Sequence, residues 1–283
     1  LMIRRPPRST LDRSSAAADV YKRQDCAKGG EQRTIKLMEV CQLRDTPIMT
    51  FINKLDRDGR EPVQLLDEIE SVLGIACSPI TWPIGMGRTL KGVYHLLQDR
   101  IYLYIQGARD RALIIKAIDG LDSVEANEVL GDDAGSFREE VDLVKGACPP
   151  LDIDEYLAAR QTPVFFGSAI SNFGVRELLD EFVKIAPAPG SRKSDARVVL
   201  PGQNDLTGFV FKIQANMDAK HRDRIAFARI CSGHFKRGMK LKHPRSGKAV
   251  NVHNAVMFLA QEREFSEEAF PGDIIGIPNH GNL

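Results

Sequence analysis

Pro47-Ile48-Met49-Thr50-Phe51-Ile52, followed at once by Asn53-Lys54-Leu55-Asp56, decides the fold. An apolar run of this length fits a strand covered on both faces, as in a parallel sheet. A polar loop at its carboxyl end lies where open α/β sheets bind ligands. Upstream, Ile35, Leu37, Met38, Val40 and Cys41 have helical spacing. Downstream, Leu66, Ile69, Val72 and Leu73 repeat at i, i+3, i+6 and i+7, with Pro62 in the first turn and Gly74 past the end. Those are the positions where proline and glycine cost a helix least. The alternation returns at Pro163-Val164-Phe165-Phe166, which predicts a strand. Its Gly167-Ser168-Ala169 loop leads into Val175, Leu178, Leu179, Phe182 and Val183, the apolar stripe of a helix. Repeated units of this kind imply a doubly wound, mainly parallel sheet.

Residues from about 82 to 160 separate the two units and are too long and too apolar for a loop, so they are expected to form an inserted subdomain. Ala186-Pro187-Ala188-Pro189-Gly190 and a polar stretch after it mark a boundary near 190 and a linker over 191–206. Beyond it, short strands are predicted at Thr207 to Ile213, Arg224 to Ile230, Met239 to Leu241, Val250 to Phe258 and Ile274 to Ile277. Strands of that length separated by glycine-rich turns describe a small antiparallel barrel over 207–283, cut off before completion. The fold class is therefore α/β plus all-β.

Residues 1–24, LMIRRPPRSTLDRSSAAADVYKRQ, follow neither period and predict no packed element. An Arg- and Ser-rich transit peptide is one reading of them. The other is a non-native leader resembling translated sequencing-adapter read-through, with the genuine reading frame beginning at Asp25. The five cysteines are scattered with no C-x-x-C pair, which argues against a disulfide framework or a zinc site. No apolar stretch reaches membrane-spanning length, so a cytoplasmic location is expected.

The Asn53-Lys54-Leu55-Asp56 tetrapeptide carries the sharpest chemical signal. A carboxylate at Asp56 can accept both the N1–H and the exocyclic N2–H of guanine, a charge-assisted pair that adenine cannot supply. Leaving that carboxylate unpaired in a pocket would reject adenine by several kcal/mol. Asn53 can meet the purine N7 edge and tie loops together, and the aliphatic stem of Lys54 can cover the base or ribose. On the neighbouring strand the Ser168 and Ala169 loop should lie alongside, offering backbone N–H groups to guanine O6. The ordinary alternative for either loop alone is a polar turn between strand and helix.

No G-x-x-x-x-G-K-[ST] string occurs in the 283 residues, so no phosphate cradle accompanies the guanine loops. D-x-x-G occurs at Asp56–Gly59, Asp132–Gly135 and Asp273–Gly276, among other places, with no such partner. H-E-x-x-H and G-x-S-x-G are absent as well, and no metal or catalytic-triad site is read. Charge is uneven: Pro201 to Ala260 hold eleven Lys and Arg against three Asp, a net of +8 in a chain of +1. The stretch is either a solvated face or a surface for a phosphate backbone. Phe209, Phe211, Phe227 and Phe235 are read as packing the barrel core.

The strings CAKGGEQRTIKLMEV, RDTPIMTFINKLDRD, SPITWPIGMGRTLKGVYHL, TPVFFGSAISNFGV, TGFVFKIQANMDAKHRDRIAFARICSG and FPGDIIGIPNHG together resemble the bacterial peptide chain release factor 3 family. ITWPIG, KGVYHL and KIQANMDAKHRDR point to it rather than to elongation factor G, its relative. The resemblance runs from Asp25 almost to Leu283. It implies the C-terminal part of a P-loop-type GTPase domain over 25–190 followed by a β-barrel second domain. It also implies that Asn53, Lys54, Leu55 and Asp56, with Ser168 and Ala169, bind GTP or GDP, Mg²⁺ belonging only to an intact parent. The expected partners are the ribosome, through rRNA and ribosomal proteins, and class-I release factors; neither membrane nor DNA is expected. The P-loop and both switch regions have no counterpart here, so no catalytic residue is carried over and the chain is expected not to hydrolyse GTP. An elongation factor G-like translocation or ribosome-protection GTPase, and a non-enzymatic ribosome- or RNA-binding module, are the alternatives.

Overall fold

The computed structural model describes residues 20–25, 41, 43, 46–105, 114–215, 224–244, 246–253, 255–259 and 262–278. The chain divides into two compact units, and the described parts of these are Val20–Ala186 and Pro187–Pro278. Apart from Cys41, the helix expected over Ile35 to Cys41 lies outside the described residues.

In the first unit, β1 (Val20–Asp25), β2 (Ile48–Asn53), β8 (Gln161–Phe166) and β3 (Ala76–Pro79) form one parallel sheet, with strands in the order β1-β2-β8-β3. All six residues of β2 and all six of β8 are buried. Their side chains alternate between two cores. Ile48, Ile52, Val164 and Phe166 join one, and Met49, Phe51 and Phe165 join the other. This is the two-sided burial that a continuous apolar run anticipates.

α1 (Pro62–Leu73) places Pro62 in its first turn and ends on Gly74 at φ 62°, whose N–H reaches the Glu70 carbonyl at 2.9 Å. A left-handed residue there closes the last turn, and glycine adopts it without strain. Its buried face is Pro62, Leu65, Leu66, Ile69 and Leu73. Val72, expected on that face, is 42% exposed.

β4 (Thr81–Ile84), β5 (Gly92–His95), β6 (Arg100–Ile105) and β7 (Ile114–Asp119) make an antiparallel meander. α2 (Val124–Leu130), α3 (Ala134–Ala147) and α4 (Ile153–Leu157) follow before β8. Ser123 and Asp152 cap α2 and α4 by accepting backbone N–H groups. Phe137, Val141 and Val144 seat α3 at helical spacing in the same core as Trp82, which meets the Phe166 ring edge-on at 5.1 Å.

Two findings differ from the sequence reading. Val20–Gln24, expected to be unpacked, pairs in parallel and in register with β2, from Val20 opposite Ile48 to Asp25 opposite Asn53. The physical reason is the edge of β2, whose backbone groups need partners and accept any extended segment without proline. α5 (Val175–Ile185) also turns a different face inward. Glu177, Leu178 and Glu181 are buried, whereas Leu179, Phe182 and Val183 are 54%, 37% and 79% exposed. The buried Glu177 carboxylate has a phenol to bond, described below, so the meander draws in a polar face that periodicity assigns to solvent.

In the second unit, β9 (Arg192–Lys193) and β10 (Val198–Val199) pair with each other. An antiparallel sheet then runs in the order β11 (Thr207–Ala215), β12 (Arg224–Ser232), β19 (Ile274–Pro278), β16 (Val256–Leu259), β17 (Glu262–Phe265). Two short antiparallel pairs complete it: β13 (Phe235–Lys236) with β18 (Glu268–Ala269), and β14 (Lys240–Lys242) with β15 (Ala249–Asn251). The strand expected over Val250 to Phe258 is split, because Val252 and Ala255 turn into the core between β15 and β16. Of the four phenylalanines expected in that core, Phe235 is there. Phe209, Phe211 and Phe227 are half-buried and pack on one another, with centroids 6.3 and 6.4 Å apart. Alternation on β11 and β12 gives the core side to Val210, Ala226 and Ala228, leaving these rings on the opposite face. Among the described residues no helix is long and apolar enough to cross a membrane.

Candidate guanine-recognition site

Parallel pairing of β2 with β8 sets Ile52 opposite Phe166 and delivers both following loops to the same end of the sheet. The loops are stitched together by backbone and side chain. Gly167 N–H donates to the Ile52 carbonyl at 2.9 Å, and Leu55 N–H donates to the Gly167 carbonyl at 3.2 Å. Gly167 is required by space: a Cβ there would lie 2.1 Å from the Phe173 carbonyl oxygen and 2.8 Å from Phe51 Cζ.

Asn53 is buried, and its Oδ1 accepts the Ala169 N–H at 2.8 Å. Its Nδ2 is buried without a hydrogen-bond partner. Such a donor is costly in a folded protein and marks a place where an incoming acceptor would be favoured. Asp56 is 28% exposed, and its Oδ1 accepts the Ser168 hydroxyl at 2.5 Å while Oδ2 stands 3.8 Å from Arg57 Nε. Each carboxylate oxygen has two lone pairs, so the serine fixes the group and leaves acceptor capacity on both oxygens. Lys54 is half-buried and sits at φ 72°, left-handed for a residue with a side chain. Leu55 differs from its neighbours: its side chain is fully buried in the core with Ile52 and Leu65, and only its backbone serves the loop.

The backbone N–H groups expected to meet guanine O6 are engaged elsewhere. Ser168 N–H donates to the Phe173 carbonyl at 2.9 Å, and Ala169 N–H is taken by Asn53. Sequence spacing identifies the loop but not this hairpin-like closure, in which Phe173 N–H returns to the Ser168 carbonyl at 2.9 Å.

Sequence reasoning also missed the groups behind the loops. The Tyr104 hydroxyl donates to Glu177 Oε2 at 2.9 Å and accepts Gly174 N–H at 2.8 Å. Its ring stacks on Phe173, with centroids 4.4 Å apart and planes 26° apart. Burial, reinforced by the adjacent carboxylate, pushes the phenol far above its ordinary range. Burial also raises Glu177, against its hydrogen bonds. The turn between β4 and β5 supports the other loop: Gly87 N–H donates to the Leu55 carbonyl at 2.8 Å and Gly59 N–H to Met86 Sδ at 3.2 Å. Periodicity puts Glu177 on the polar side of its helix beside Arg176, Asp180 and Glu181, so no sequence signal marked it.

The family model of the elongation factor Tu GTP binding domain matches residues 13–188, and that of elongation factor G domain 2 matches residues 205–283. A crystal structure of a protein from Thermus thermophilus has a TM-score of 0.70 at 20% identity, which concerns the fold alone. The match covers 96% of this chain and 40% of that one.

Proposed function

The chain belongs to the translational GTPases built on an elongation factor Tu-type GTP-binding domain, and from that premise we propose that it recognises guanine through Asn53, Lys54 and Asp56. Asn53 carries the reading, for its Oδ1 locks the two loops together while its buried Nδ2 lacks an acceptor of the kind purine N7 provides. Asp56, pinned by Ser168, supplies the acceptor for N1–H and N2–H. In a parent that also carries a phosphate-binding loop, GTP and GDP are the nucleotides and Mg²⁺ accompanies the phosphates.

Within the family, the release factor 3 type is the reading that the ITWPIG, KGVYHL and KIQANMDAKHRDR segments support. Its parent would act in the cytoplasm on the ribosome, promoting release and recycling of class-I release factors with GTP hydrolysis. The loops after β2 and β8 carry the base-recognition part of that activity. The test is competition of guanosine against adenosine nucleotides, together with a single-turnover GTPase assay. Guanine preference of about a hundredfold or more is expected. Equal binding of both purines, or measurable hydrolysis by the chain, would refute the assignment. Adding the parent protein to post-termination ribosomes and following a labelled class-I factor separates this type from an elongation factor G-like one.

A second reading rests on the barrel. Lys240 and Lys242 are exposed on either side of buried Leu241, and Lys236 and Lys248 are exposed nearby in sequence. Such a surface fits RNA phosphates, and affinity driven by it should fall steeply with salt. Base recognition at Asp56 should instead depend on purine identity and little on salt.

A further inference from the structure

The inserted meander touches both loops of the site. From β6, Tyr104 is buried and is bonded at its hydroxyl to Gly174 and Glu177, with Phe173 stacked on its ring. Phe173 in turn closes the double hydrogen bond with Ser168, whose hydroxyl holds Asp56. From the β4–β5 turn, Gly87 and Met86 hold the backbone after Asn53. A Cβ at Gly87 would come within 2.1 Å of Asp58 Oδ1, so the approach is close on this side as well.

We propose that Tyr104 is a positioning residue of the guanine site: its hydroxyl fixes the Phe173-Gly174 end of the loop, and so the Ser168 hydroxyl that orients Asp56. The proposal rests on Asp56 being the guanine acceptor. The phenol suits the role because it bonds in two directions at once, to a backbone donor and a side-chain acceptor, which phenylalanine of the same shape cannot do. The insert thereby braces the loop from behind, and a displacement of β6 reaches the Asp56 carboxylate through Tyr104, Phe173 and Ser168.

The test uses the full chain and Tyr104→Phe, which keeps the ring stacked on Phe173. Amide hydrogen exchange at Ser168, Ala169 and Gly174 should quicken about tenfold while Phe51 and Ile52 in β2 stay unchanged. Release of a fluorescent GDP analogue should quicken about five- to tenfold, the scale of one lost hydrogen bond. Glu177→Gln retains an acceptor for the phenol and should stay within about twofold of wild type in both measurements. Unchanged exchange at Ser168 and Ala169 overturns the proposal. So does a uniform rise that includes β2, which would mean general loosening, or a Glu177→Gln effect equal to that of Tyr104→Phe. Failure of the wild-type chain to bind GDP analogues overturns the guanine reading instead, and the exchange pattern still decides whether Tyr104 positions the loop.

Discussion

The Ser168 hydroxyl donates to Asp56 Oδ1 at 2.5 Å across 112 positions of sequence. Two loops that are remote along the chain therefore share one carboxylate, which Ser168 holds while its other lone pairs remain for a ligand. Ser168→Ala should lower affinity for a GDP analogue about three- to tenfold, with a stability loss near 1 kcal/mol because water can reach the partly exposed carboxylate. Equilibrium titration beside urea unfolding checks both. A large stability loss without an affinity change would make the contact purely structural.

Replacing Asp56 by asparagine exchanges one acceptor oxygen for an N–H donor. The edge that matched the two guanine donors then matches the donor-and-carbonyl edge of xanthine. Competition between guanosine and xanthosine nucleotides should invert for Asp56→Asn, and an unchanged preference would remove Asp56 from base recognition.

Gly167→Ala has no room, with the Phe173 carbonyl 2.1 Å and the Phe51 ring 2.8 Å from the new methyl. Relieving both contacts means shifting the strand end or the loop closure, at a cost of about 2–3 kcal/mol. Chemical denaturation should show that loss, and an unperturbed midpoint would mean that the loop relaxes freely.

His95 lies buried on β5, and burial depresses its pKa from 6.5 to about 4, against the pull of the Glu181 carboxylate. The unfolded chain then binds a proton that the folded one refuses between those values, so stability rises with pH across the interval. The contribution is complete above pH 6.5 and lost as pH falls towards 4, on the order of 3 kcal/mol in all. Urea midpoints at pH 7 and pH 5 should differ for the wild type, and His95→Asn should flatten that difference.

The two central strands and the loops after them were legible because each signal is local: a buried run, then a polar tetrapeptide. The α/β plus all-β architecture followed from the same periodicities. What sequence could not supply was contact between distant segments. Tyr104 meets Glu177 from 73 positions away, and that bond turns the polar side of α5 inward against its apolar stripe. β1 was missed for a different reason, since an edge strand is selected by the backbone it completes more than by its own pattern. The Ser168 and Ala169 N–H groups were assigned to a ligand because their internal acceptors, Phe173 and Asn53, cannot be seen from spacing.

Lys54 holds a left-handed backbone that glycine would adopt freely, at a strain of about 1 kcal/mol. Lys54→Gly should thus raise thermal stability while removing the stem proposed to cover the base. Selection for heat tolerance and selection for nucleotide retention would drive this one position towards different residues.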